Sequence, residues 1–142
     1  AKHPVTKPIL SVIESSEEKL TGIIEELVEK ENLNILYPSK LPENVRIQKI
    51  TQQYMSDDSM MLSFQTNDPN LSFSVSTKAS VSEQDVQHFE VYKLSNIIFY
   101  IDTKPDGVYH AIGYYEDYEY QIIYNNYDAL ISIIDNMKGH KQ

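Results

Sequence analysis

Leu71-Ser72-Phe73-Ser74-Val75-Ser76-Thr77 carries the clearest structural signal in the chain. Apolar and small polar residues alternate through it without a break. Successive side chains of an extended chain point to opposite sides, so Leu71, Phe73 and Val75 line one face while Ser72, Ser74 and Ser76 line the other. A period of two with one apolar side predicts a half-buried strand of an antiparallel sheet.

Working outward, the turn residues Asn67-Asp68-Pro69-Asn70 precede this strand, and before them Met60, Leu62 and Phe64 alternate with Met61, Ser63 and Gln65. Val45 to Tyr54 reads as a long strand whose mixed alternation leaves room for a bulge. Downstream, Gln87 to Leu94 and Asn96 to Asp102 are two further strands, and His88 and His110 fall in strands. Lys104-Pro105-Asp106-Gly107 supplies turn chemistry, with glycine offering a positive φ. Val108 to Tyr115 and Tyr118 to Tyr124 then flank Glu116-Asp117 as a tight hairpin. Asn125 or Asn126 caps a closing helix in which Tyr127, Leu130, Ile131, Ile134 and Met137 share a face, and Gly139 ends it.

At the other end, Lys7 to Asn32 reads as helix. Leu20, Ile23, Ile24, Leu27 and Val28 follow helical spacing opposite Glu25, Glu26, Glu29 and Lys30, while Pro8 suits a first helical position and Ile9, Val12 and Ile13 extend the apolar stripe. Ser15 with Glu18 forms an alternative capping box, so one helix and a helix broken near Ser15 and Ser16 both stay open. Leu36 to Asn44, with two prolines, reads as a rigid extended connector without periodicity. The expected fold is α+β: a twisted antiparallel sheet of about six or seven strands in meander order, with an N-terminal helix and a C-terminal helix packed on one face. It divides as 1–36 (helix and connector), 37–138 (sheet and closing helix) and 139–142 (tail) within a single domain.

Composition narrows the function classes. A chain of 142 residues with a 41% apolar share can bury a core of its own. It has no cysteine, which removes disulfides, thiolate nucleophiles and thiolate zinc sites. The net charge is −9 and Arg46 is the single arginine. Phosphate backbones are bound by clustered Arg and Lys, so nucleic acid is an unsuitable partner. An anionic membrane surface would repel the chain unless it were tethered. No apolar run reaches the roughly 20 residues of a bilayer span. The chain opens Ala1-Lys2-His3 without an initiator methionine: either the methionine was trimmed or this is a fragment lacking its upstream part, and the fragment is the preferred reading.

Chemistry-bearing motifs are sparse. There is no Gly-x-Ser-x-Gly elbow, His-Glu-x-x-His pair or calcium loop, and no cofactor fingerprint. Asp57-Asp58 and Glu116-Asp117-Tyr118-Glu119 place carboxylates close in sequence, as a hard cation would need. In strands and tight turns such residues point apart or face water, which is the preferred reading. The distinctive feature is a run of tyrosines: Tyr109, Tyr114, Tyr115, Tyr118, Tyr120, Tyr124 and Tyr127. Period two puts Tyr118, Tyr120, Ile122 and Tyr124 on one face. Rings packed under the helices are preferred, and an exposed remainder makes Tyr114, Tyr115, Tyr118 and Tyr120 the candidate partner surface.

From Tyr37 to Lys138 the sequence also resembles the Firmicute family catalogued as domain of unknown function 4367. Its opening Leu-Pro-Glu-Gly-Tyr-like segment is matched by Leu41-Pro42-Glu43-Asn44-Val45, with Asn44 in place of the glycine and Val45 in place of the aromatic. Phe89-Glu90-Val91-Tyr92-Lys93, Ile97-Ile98-Phe99-Tyr100, Tyr120-Gln121-Ile122-Ile123-Tyr124 and the helix from Tyr127 fit its later order. The resemblance implies an extracytoplasmic domain behind a lipid anchor or a membrane span, sometimes in anti-sigma-factor-like proteins, with no catalytic residues. The resulting expectation is a non-catalytic binding or sensor domain of a membrane-tethered Gram-positive protein, taking a protein, a peptide or a cell-envelope component. The alternative is a small-ligand or lipid carrier with a cavity between sheet and helix, and a hydrolase with a dispersed site ranks last.

Overall fold

The computed structural model describes residues 5–11, 25–26, 29, 35–56, 59–78, 83–94, 97–103 and 106–139. Strands β1 (Val5–Ser11), β2 (Leu36–Pro38), β3 (Ile47–Ser56), β4 (Ser59–Thr66) and β5 (Ser72–Ser76) come first. A 3-10 turn (Glu83–Val86) follows. Then come β6 (Glu90–Lys93), β7 (Ile98–Thr103), β8 (Tyr109–Tyr115), β9 (Tyr118–Tyr124), helix α1 (Tyr127–Asp135) and β10 (Met137–Gly139). Eight strands form one antiparallel sheet in the order β1-β3-β4-β5-β9-β8-β7-β6, and β10 pairs with β2 in a separate ribbon.

The alternation read from 60–77 holds. Met60, Leu62, Phe64, Leu71, Phe73 and Val75 are all buried. Register carries the apolar side across the sheet: Leu62↔Val75, Val75↔Tyr120, Tyr120↔Gly113 and Gly113↔Phe99 are successive cross-strand pairs. Phe64 and Phe73 meet edge to face with centroids 5.2 Å apart. Gly113 is required by this row. A Cβ built on it would lie 2.5 Å from Cε1 of Phe99, so the phenylalanine ring fills the space a side chain would take. The irregularity expected in the long strand is present, with register shifts between Ile47 and Lys49 and between Tyr54 and Ser56.

The expected meander order holds only in part. β3-β4-β5 and β6-β7-β8-β9 are each consecutive, but β5 lies against β9, so the chain leaves β5 in mid-sheet and re-enters at the far edge as β6. Hairpins closed by short turns force neighbours to pair, whereas the longer stretch 77–89 imposes no such constraint. His88, expected in a strand, is exposed in the turn before β6.

The amino-terminal reading needs the largest correction. Residues 5–11 are not helical. They pair antiparallel with β3 from Val5↔Tyr54 to Ser11↔Lys49, with a register shift between Pro8 and Leu10. Proline, which lacks an N–H, is accommodated on an edge strand beside such an irregularity, so Pro8 marks a sheet edge and not a first helical turn. Glu25, Glu26 and Glu29 are helical with exposed side chains. The apolar stripe expected at Leu20, Ile23, Ile24, Leu27 and Val28 lies outside the described residues, as do Asp57 and Asp58.

Helix α1 begins where expected. Asn126 is the cap, its Oδ1 accepting from the Ala129 amide at 3.0 Å, and Leu130, Ile133 and Ile134 are fully buried beneath the helix. It stops at Asp135 and not at Met137, and Gly139 does not end it. Instead Met137–Gly139 pair with Leu36–Pro38, and the Asn136 carbonyl accepts from both the amide and the hydroxyl of Ser39. The supposed connector therefore starts as a strand, and the proposed divisions at 36/37 and 138/139 cut through β2 and β10. Ile35, Leu36 and Tyr37 are consecutive and all buried, which is why alternation did not reveal them. Among the described residues no helix is long and apolar enough to cross a membrane.

Candidate functional site

The final hairpin, β8–β9, occupies the middle of the sheet and carries most of the tyrosines. Glu116 takes the left-handed conformation (φ 49°) that closes the turn with Asp117, and both are exposed. The register Tyr115↔Tyr118 and Gly113↔Tyr120 puts Tyr115, Tyr118 and Tyr120 on the side bearing α1, whereas Tyr114↔Glu119 faces the other way. The four residues expected as one partner surface are therefore divided between two faces.

Tyr120 does not belong to any surface. It is 0% exposed, and its phenol oxygen accepts from the Leu36 amide at 2.8 Å, tying β2 to the sheet. Burial pushes its phenol far above the ordinary range. Its cross-strand neighbours are Val75 and Gly113, in the apolar row of the core. Tyr115 and Tyr118 are half-buried and pack on the core. Tyr124 donates to Asp68 Oδ2 at 2.7 Å, and Asp68 Oδ1 accepts from the Asn70 amide at 2.9 Å, so β9 holds the turn between β4 and β5. Burial, reinforced by Asp68, pushes Tyr124 up to about 12, while the Tyr124 and Asn70 hydrogen bonds hold Asp68 below the usual carboxylate value. Tyr127 donates to Glu90 Oε1 and Tyr92 to Asp135 Oδ1, each at 2.5 Å, so that α1 and β6 are fastened at two points. Tyr109 stacks edge to face on Tyr127 at 5.3 Å. Tyr92, Tyr120, Tyr124 and Tyr127 act as fasteners, each joining two elements.

The opposite side of the hairpin holds what the sequence reading missed. Glu119, expected to face water, is 1% exposed. Gln121 Nε2 donates to Glu119 Oε1 at 2.9 Å, and His110 Nε2 lies 3.0 Å from Gln121 Oε1. Tyr114 completes the group: burial first, then the charge and hydrogen bond of Glu119, push its phenol up to about 12, with Tyr100 and Asp85 adding to the shift. The Tyr100 and Tyr114 rings are 6.3 Å apart, edge to face. Asp85 belongs to the 3-10 turn, so the segment leading to β6 comes near this end of the face. Val86 and Ile112 are buried but stand apart from the main core. The period-two pattern placed Glu119 with Gln121 on the outer face, and that placement is right. What it could not supply was the depth at which Glu119 lies.

From Gln121 of this network a polar row runs on across the same face. Thr51↔Ser63, Ser63↔Ser74 and Ser74↔Gln121 form one cross-strand row over β3, β4, β5 and β9, and all four side chains are half-buried. At a strand spacing of roughly 4.8 Å this row presents hydroxyls and an amide at regular intervals, with no charge among them. Among the described residues no three His, Asp or Glu side chains are grouped as metal ligands.

Family models, curated proteins and solved structures were compared with the chain, and no match was found in any of the three.

Proposed function

We propose that this is a non-catalytic binding or sensor domain that engages a protein, a peptide or a cell-envelope component through the open face of its sheet. The observation that carries the reading is the row Thr51–Ser63–Ser74–Gln121, an in-register line of neutral donors and acceptors across four strands. Neutral hydroxyls and amides give orientation and hydrogen bonding to an extended ligand without the desolvation cost of burying charge. Tyr114, at the covered end of the same face, is the member of the expected tyrosine surface that fits this role; Tyr115 and Tyr118 lie on the other side. In this reading the domain works outside the cytoplasm, held to the membrane by a segment outside residues 1–142. That is also what the resemblance of 37–138 implies.

The test is amide NMR on titration with soluble peptidoglycan fragments and, separately, with unstructured peptides. Shift changes confined to β3, β4, β5 and β9, and abolished by Ser74→Arg at unchanged melting temperature, support the reading. Changes mapping only to the outer side of α1 would overturn it, as would turnover of ester, phosphate or glycoside substrates that is lost in His110→Ala.

A further inference from the structure

The second surface is an edge and does not depend on the open face. β6 ends the sheet order, with β7 as its ladder partner. The Leu94 amide donates to the Ile97 carbonyl at 3.0 Å, in the same register as Tyr92↔Phe99 and Glu90↔Ile101. Hydrogen-bonded positions alternate along an antiparallel ladder, so Glu90, Tyr92 and Leu94 direct their backbone groups to β7. Val91 and Lys93 therefore direct theirs outward. Val91 is also 57% exposed, the most of any large apolar side chain described. An edge that offers backbone pairing beside an exposed β-branched residue is a template for an added strand.

The side chains select the occupant. On the helix-bearing side, Glu90 and Asp135 are exposed carboxylates, each accepting one phenol hydrogen, from Tyr127 and Tyr92. On the other side Lys93 is exposed next to Val91. A second copy of the chain suits this edge badly. A two-fold antiparallel pairing keeps each face on its own side, so Glu90 would meet Tyr92 or Leu94 of the copy. The Glu90 and Asp135 carboxylates of both copies would then gather on one side, on top of a net charge of −9 each.

We propose that β6 takes an extended segment of a partner polypeptide, added antiparallel, with an acidic, a basic, an apolar and a basic residue opposite Lys93, Tyr92, Val91 and Glu90 in turn. Backbone bonds from Val91 and Lys93 supply the pairing, and the two basic residues meet Glu90 and Asp135. The short length of the edge makes this a weak, salt-sensitive contact on its own.

A labelled peptide with glutamate–lysine–valine–lysine at its centre, followed by fluorescence anisotropy at low salt, tests the proposal. Binding should weaken about tenfold or more in Val91→Pro, because proline removes an outward N–H that the strand ladder does not use. An unchanged melting temperature shows that this variant is folded. Should it not fold, Glu90→Gln with Asp135→Asn serves instead, since both amides keep an oxygen for the tyrosines while losing the charge. That pair should cut the preference over a peptide whose lysines are replaced by glutamates several-fold, and an unchanged preference would overturn the proposal. Equal binding of the two peptides to the unaltered protein, or no binding at ~1 mM peptide, overturns the proposal. A dimer of the chain alone that disappears in Val91→Pro, seen by sedimentation, would assign the edge to a second copy and also overturn it.

Discussion

The two faces of β9 take similar polar atoms and use them differently. On the side of α1, phenol groups reach out of the ladder to other elements: Tyr120 to β2, Tyr124 to the turn at Asp68. On the other side, Glu119 and Gln121 bond within the hairpin, to each other and to their β8 neighbours Tyr114 and His110. The first face locks the fold by contacts between residues distant in sequence. The second makes a local polar island next to an open surface. The difference teaches that a polar group's worth here depends on what it connects more than on how deeply it lies.

The largest effects should fall on the face of fasteners. Tyr120→Ala removes a fully buried ring and is expected to cost about 3–5 kcal/mol in urea unfolding, if the variant folds. Tyr120→Phe isolates the matter further. It keeps the ring and leaves the Leu36 amide without its acceptor, for a loss of about 1–3 kcal/mol. A change within 0.3 kcal/mol would show that the β2–β10 ribbon does not need this bond. Gly113→Ala should cost a comparable ~1–3 kcal/mol, because Phe99 must leave its place above the glycine. Its near-ultraviolet signature should move while Tyr120→Phe leaves that of Phe99 alone.

The comparison can be sharpened by alkali. Tyr114, Tyr124 and Tyr127, ordinarily titrating near 10.0, are each pushed up to about 12 in the folded chain. Between those values the unfolded state has lost phenol protons that the folded state still holds, so stability falls as pH rises through that window and is fully present below it. Fasteners and island should then separate. Glu119→Gln removes the charge that helps raise Tyr114, so absorbance titration should show one phenol ionising earlier while the other two stay near 12. If all three move together, the island is coupled to the fasteners and the contrast drawn above fails.

What the sequence made legible follows from how far each signal travels. Strands β4, β5 and β9 declare themselves by local alternation, and α1 by the Asn126 cap with Leu130 and Ile134 one turn apart. These are short-range consequences of side-chain geometry. β2 and β10 carry no such pattern, because Leu36 and Tyr37 are consecutive and both buried and their partners lie more than 100 residues away in sequence. At 5–11 the Pro8 signal is ambiguous in principle, since both a first helical turn and an irregular sheet edge accept a missing N–H. Of the site, the face of each hairpin residue was readable and the burial of Glu119 was not. Parity assigns a side, whereas burial depends on what packs over that side, which no local pattern carries.

The smallest expected effect is the most discriminating for function. Ser63→Ala and Ser74→Ala lie in mid-sheet, yet each should change stability by less than about 0.5 kcal/mol, since half-buried hydroxyls on an open face still reach water. Thermal melts of the two variants check this. Serine is a poor choice for strand stability beside valine or threonine, so a row of serines in the centre of a sheet asks for another reason. If Ser74→Val stabilises the domain while removing ligand-induced shifts, the row is kept at the expense of stability for what it binds. If it stabilises the domain and binding is untouched, the open face is only a wetted surface, and the β6 edge is left as the contact to pursue.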